Sequence, residues 1–337
     1  MRKRLILAVG CLAIVLWMIP VAGEAELIYA VTSTNVLLSF DSATPGTTTS
    51  VAITGLQSGE NILGIDLRPA TGQLYALGST SRLYTINPAT GVATQVGSGT
   101  FTPALSGTAF GFDFNPTVDR IRVVSDTDQN LRLNPDTGAV VAVDTNLAYA
   151  TGDPNQGLNP NVVALAYTSN FAGATSTTLF GIDSNLDIGL LLGSPGGTPI
   201  SPNSGQLISA LPIGVNTADA VGFDFSGVTG VGYASLTPVT GAASSFYTVG
   251  ASSVVLVGQI GTGFIVVDIT VGVQGVAPTP TPTATPTSTA SPSPTATLGT
   301  GNPPANVPTL SGWLLGVLAL AIATAGLFVI RGTSSAG

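Results

Sequence analysis

Histidine is absent from the 337 residues, and cysteine and lysine occur once each. Without histidine the chain lacks the side chain that titrates nearest neutral pH, which is also the commonest metal ligand. A hydrolytic site here would rest on carboxylates. A metal site would rest on oxygen ligands, which suits calcium better than zinc. The one thiol, Cys11, lies in an apolar N-terminal run, so disulfide staples and thiolate chemistry are excluded from the body of the chain. Only 8% of residues are charged and the formal charge is −8. Between the two ends the basic residues are Arg68, Arg82, Arg120, Arg122 and Arg132, too few and too scattered for a nucleic-acid footprint. No central stretch keeps a helical period, so there is also no glycine-rich loop opening a helix to cradle phosphate.

What is present is glycine (42) and proline (23) among Val, Leu, Thr and Ser, a composition suited to many short strands and tight turns. The pattern is clearest over residues 111–143, GFDFNPTVDRIRVVSDTDQNLRLNPDTGAVVAV. Strands are expected at 111–114, 120–125, 131–134 and 139–143, parted by Asn115-Pro116, a polar turn at 126–130 and Pro135-Asp136-Thr137-Gly138. A four-stranded meander of this size is one propeller blade.

The unit recurs. Residues 61–97 carry GIDLRPATGQLYAL and SRLYTINPATGVATQVG, and the NPxTG turn follows each inner strand at the same distance, Gly64 to Asn87 and Gly111 to Asn134. A divergent copy spans 161–210, with strands expected at 162–167, 178–183, 188–192 and near 206–209. Another spans 219–260 and opens with Gly222-Phe223-Asp224-Phe225. The first unit, with strands at 27–31, 36–41 and 50–54, lacks an inner strand, whereas 264–271 (FIVVDITV) is an inner strand with nothing behind it. Pairing of these two ends would close the ring and remove exposed edges. The expected fold is therefore an all-β, five-bladed β-propeller over residues 26–276. Six blades is the alternative, if the loops at 145–160 and 194–206 hide strands.

Residues 1–25 read as a secretory signal: Arg2, Lys3 and Arg4, an apolar run at 5–19, then Pro20 and Gly23-Glu24-Ala25. Residues 277–308 are rich in Pro, Thr and Ser and have no apolar surface to bury, which suits an extended stalk or an O-glycosylated segment. Residues 313–330, WLLGVLALAIATAGLFVI, carry no charge. At about 1.5 Å per residue they would span roughly 27 Å, the thickness of a bilayer core, with Arg331 on the cytoplasmic side.

Two resemblances enter at these residues. Val307, Pro308, Thr309, Leu310, Ser311, Gly312 and Trp313, followed by the apolar run and Arg331, resemble the bacterial IPTL-CTERM sorting signal. Val307 stands for its Ile, Gly312 for its Glu, and a single Arg for its basic cluster. The resemblance implies processing of segment 309–337 by a dedicated membrane protease. The body, roughly 27–271, resembles a family of secreted bacterial proteins known as DUF4394, through the two repeats quoted above and LAYATGDPNQGLNPNVVALAYTSNFAGATSTTLFGID. That family supplies no catalytic residues and no ligand to carry over.

Asp66, Asp113, Asp224 and Asp268 read as equivalent positions on four inner strands, with Ala166 in the fifth. Such a ring of carboxylates faces a propeller's channel and would suit a cation. Alternatively each Asp accepts backbone hydrogen bonds from the neighbouring turn and orders its own blade. Asp126 and Asp128 in Asp126-Thr127-Asp128-Gln129-Asn130 have the spacing of half a calcium loop, as do Asp183 and Asp187, but no sixth-position Gly or distal Glu follows, and hairpin turns favour Asp and Asn anyway. Tyr29, Tyr75, Tyr84 and Phe110 recur on strands, as a sugar-stacking mouth or as core between blades. No cofactor is expected, calcium being the alternative. The function expected is non-catalytic: an exported, envelope-anchored module that binds a glycan or protein and touches the membrane through its C-terminal helix. The alternatives are a carboxylate-dependent lyase or glycosidase working in the channel, and a structural envelope protein.

Overall fold

The computed structural model describes residues 25–241 and 243–272. The expected signal peptide up to residue 24, the stalk, the sorting motif and helix 313–330 lie outside them. Among the described residues no helix is long and apolar enough to cross a membrane.

The alternation of apolar and polar residues folds into five sheets, antiparallel but for one short parallel pair. The first blade holds β1 (Leu27–Thr32), β2 (Val36–Asp41) and β3 (Thr48–Ala52). The second holds β4 (Ile62–Arg68), β5 (Gln73–Gly78), β6 (Arg82–Ile86) and β7 (Ala93–Val96). In the third are β8 (Phe110–Asn115), β9 (Arg120–Ser125), β10 (Asn130–Leu133) and β11 (Val140–Val143), the meander expected at 111–143. A two-residue strand β12 (Ala148–Tyr149) precedes the fourth blade, β13 (Val162–Tyr167), β14 (Leu179–Asp183), β15 (Ile188–Leu192) and β16 (Gln206–Pro212). The fifth is β17 (Thr217–Phe225), β18 (Gly232–Pro238), β19 (Ser245–Val249) and β20 (Val254–Gln259), and β21 (Val266–Val271) ends the described chain.

β21 pairs antiparallel with β1, Ile28 opposite Val271 and Ala30 opposite Ile269, and so completes the first blade. The ring closes as expected, with β21, β4, β8, β13 and β17 packed in sequence around the centre. The strand starts at Val266 rather than 264, and the register shifts between Val31, opposite Asp268, and Thr32, opposite Val266. The six-blade alternative is corrected. The 145–160 loop yields β12, which adds to the outer edge of the fourth blade by parallel pairing with β16, and the 194–206 loop holds two 3-10 turns, Pro195–Gly197 and Pro202–Ser204. The third strand also lies earlier than 50–54, because Ile53 and Thr54 leave the sheet to hydrogen-bond Asn35 and Gly91.

Five apolar clusters fill the wedges between neighbouring blades. Between the second and third, for example, Leu77 and Leu83 meet Phe112, Phe114 and Ile121, all essentially sealed from water. Burying each such side chain contributes about 1.5–3 kcal/mol. The inner strands approach too closely for side chains at some points: a Cβ on Gly222 would lie 2.5 Å from Ile269 N.

Candidate functional site

Cross-strand register places Asp66 opposite Tyr75, Asp113 opposite Arg122 and Asp224 opposite Tyr233. Each carboxylate reaches the inner strand of the next blade. Asp66 Oδ2 accepts the Phe114 N–H at 2.8 Å, Asp113 Oδ1 the Tyr167 N–H at 3.1 Å, and Asp224 Oδ2 the Val271 N–H at 2.7 Å. The expectation that each Asp orders its own blade through a turn is therefore corrected: these side chains stitch one blade to the next.

Asp268 does not share this row. Thr270 does: it faces Tyr29 across the sheet, and its Oγ1 accepts the Leu67 N–H at 3.2 Å. Asp268 stands two residues earlier, and its Oδ2 accepts the Ile65 N–H at 2.9 Å, one level away. A two-residue offset keeps a side chain on the same face of a strand, so the sequence pattern does not distinguish the two levels. Ala166, opposite Phe180, occupies the row in the fourth blade as expected.

Carboxylate oxygens of Asp66, Asp113 and Asp224 lie within 4.8 Å of one another, and each residue is about 1% exposed. Burial, with repulsion from Asp224, holds Asp66 well above the usual carboxylate range. Burial and its acidic neighbours do the same to Asp113. Burial pushes Asp224 up to about 7, against the hydrogen bonds from Val271, Thr270 and Phe225 that favour its anion. Asp268 is likewise raised by burial. A group of this kind can share protons, or offer three hard oxygen ligands to a cation. Asp66, Asp113 and Asp224 are the residues placed to hold one.

Asp126 and Asp128 are not brought to this group. Asp126 accepts the Thr108 N–H and hydroxyl. Asp128 adopts a left-handed turn conformation with φ 67°. In the other half-loop Asp183 caps the Asn185 and Leu186 N–H groups, while Asp187 takes the Thr217 N–H. Tyr75, Tyr84 and Phe110 are buried and Tyr29 half-buried, all within or against the clusters between blades, so they are core.

The residue opposite each row position faces the next blade. Three of the five interfaces are latched by polar groups there. Arg68 bonds Tyr75 and crosses to Asp119 and to Asp136 at 2.7 Å. Arg122 crosses to Tyr167 at 2.9 Å and Asn203 at 2.6 Å. Tyr233 donates to Glu26 at 2.8 Å. Tyr29 and Phe180 make no such bond, and crevices open at both of their interfaces. The one between the first and second blades is about 290 Å³, beside Leu37, Val51 and Pro88. The one between the fourth and fifth is about 470 Å³, lined by Phe180, Leu211, Phe223, Phe225, Leu236 and Val254 among others.

The family model described as "Domain of unknown function (DUF4394)" matches residues 36–270. The chain belongs to the DUF4394 family. No curated protein matches it. Among solved structures, the DUF4394 chain is similar to Kuenenia stuttgartiensis hydrazine synthase at 10% identity and TM-score 0.34, over 61% of this chain and 51% of that one. It is similar to a structural genomics protein of unknown function from Bacteroides thetaiotaomicron at 15% identity and TM-score 0.38, over 68% and 56%. A putative 6-phosphogluconolactonase from Bacteroides uniformis gives 15% identity and TM-score 0.35, over 71% and 68%. The chain thus spans about half the length of the first of these structures.

Two features of the DUF4394 body are not visible in its repeats. Thr270 joins the acid row although it is not an acid. The crevice beside Phe180 lies at the one blade that has no polar head at the position where the other four carry Tyr or Arg. Aligning the copies on their second strands rather than on GFDF would have placed Phe180 against Tyr75, Arg122 and Tyr233.

Proposed function

We propose that this chain is an exported, non-catalytic binding module displayed at the cell envelope. One observation carries the reading: among the described residues, neither crevice between blades is lined by a titratable side chain. The carboxylates that acid–base chemistry would need are sealed in the channel and engaged with backbone N–H groups. General acid–base catalysis requires a titratable group within reach of the substrate. In this reading residues 1–25 direct export, 277–308 hold the propeller off the membrane, and 313–330 anchor it. The motif Val307, Pro308, Thr309, Leu310, Ser311 and Trp313, with Arg331, marks the site of a sorting protease. Surface adhesion to a glycan or protein fits the same display. The test is a thermal-shift screen of the purified full chain against glycans and small molecules, with each hit then followed for chemical conversion. Saturable binding with the ligand recovered unchanged supports the reading, and conversion of a hit overturns it in favour of an enzyme.

A further inference from the structure

The interface between the fourth and fifth blades differs from the others in composition. Its row residue is Ala166, and the residue opposite is Phe180. Phe180 lies against Phe225 with ring centres 5.4 Å apart, and Phe225 against Phe223 at 5.2 Å, both pairs tilted. Leu191, Leu211, Phe180, Phe225, Val249 and Val254 are half-buried and line the gap. Gly181 and Gly189 thin the wall on the fourth-blade side. The gap of about 470 Å³ lies within the ~300–1,000 Å³ typical of small-molecule sites, which are mostly apolar with a few placed polar groups.

Among the described residues Thr168 supplies the only polar side chain in the lining. Its Oγ1 accepts the Thr178 N–H at 2.9 Å, which leaves its own proton free to donate. No acid, arginine or lysine among the described residues faces the gap, so a charged ligand would be desolvated there without compensation. From this lining we infer that the crevice is a binding site for an uncharged, ring-bearing apolar small molecule, packed against Phe180, Phe223 and Phe225 and offering at most one acceptor to Thr168. The inference rests on the reading of the chain as a binding module and names the ligand class of that module.

Two variants of the full chain close the site without touching the acid row. Gly189→Leu fills it from the wall, where an added Cβ meets Leu211 at an ordinary 3.6 Å. Ala210→Trp covers it from its exposed rim and leaves the core intact. The probe is the neutral dye phenylnaphthylamine, read by fluorescence. The residues beyond 272 are common to all three proteins, so a difference between them belongs to the crevice. Saturable binding by the parent is expected, weakened about tenfold or more in both variants. Should Gly189→Leu fail to fold, Ala210→Trp alone decides. No saturable binding by the parent, or titrations unchanged in the variants, overturns the inference. In that event glycan or protein binding in the thermal-shift screen leaves the binding reading standing, so the two fail separately.

Discussion

Thr270 Oγ1 lies 2.9 Å from Asp66 Oδ1, although the two residues are 204 positions apart. The same oxygen lies 3.0 Å from Asp224 Oδ2. A hydroxyl has one proton, so it satisfies one carboxylate at a time. The closing strand β21 is thereby tied to the second and fifth blades at once, inside a group of acids with no basic side chain among them. Ring closure and the protonation of the channel are physically linked.

Stability should fall as pH rises. Asp66, Asp113, Asp224 and Asp268 are all raised by burial in the folded state, Asp224 to about 7. An unfolded Asp titrates near ~3.9, so above that pH the folded chain binds more protons than the unfolded one. The contribution is fully present below the unfolded value and is lost as pH rises through the folded ones. Calorimetry at pH 5.5 and pH 8.5 should give the higher Tm at pH 5.5. A Tm that climbs from pH 5.5 to 8.5 would contradict this account.

Asp113→Asn should raise Tm at pH 8.5 and change it little at pH 5.5. The amide keeps an oxygen for the Tyr167 N–H and removes one charge from the group. Asp113→Ala discards that bond and should cost about 1–3 kcal/mol at either pH. If calcium stabilises the parent and Asp113→Asn abolishes the effect, the three carboxylates hold a cation and not shared protons.

Deleting residues 266–271 should abolish cooperative melting or lower Tm steeply. The strand buries Val266 and Ile269, pairs with β1 and carries both Thr270 and Asp268. Thr270→Val is the milder probe, removing only the hydroxyl, and should cost about 1–3 kcal/mol in urea unfolding. A deletion that melts like the parent would show that the ring does not depend on its closing strand.

Arg122→Ala should destabilise by about 3 kcal/mol, the low end for breaking a buried pair, because Asp144 loses one of its two arginines. Arg122 is 3% exposed and its partner Asp144 6%, while Arg122 also bonds Asn130, Tyr167 and Asn203. Arg132, at 2.8 Å, would remain on Asp144 and soften the loss. Urea unfolding of Arg122→Ala beside Arg132→Ala, whose side chain is more exposed, should rank the first as the more damaging.

Topology is checked on intact cells. An epitope within 277–297 should be reachable by antibody, and a tag after Gly337 should be protected from external protease or missing from the mature protein. A stalk epitope detected only after lysis would overturn the proposed export.

Local chemistry settled much of this protein. Period-2 alternation, Asn-Pro and Asp-Thr-Gly turns and the GFDF repeat determined an all-β propeller and which two strands close it, because each of these is written in residues near one another in the chain, while the choice of five blades over six waited on the pairing of β12 and the 194–206 loop. The absence of histidine and the scarcity of basic residues excluded whole classes of chemistry for the same reason. Other features depended on packing between blades. Asp268 and Thr270 share a strand face, and only the register of β21 against β1 and β4 decides which of them joins the acid row. The upward pKa shifts come from burial among residues up to 204 positions apart. The crevice at Phe180 lies where Arg122 and Tyr233 at the matching positions bond polar groups of the next blade and Phe180 does not, a difference that acquires meaning only when the blades stand side by side.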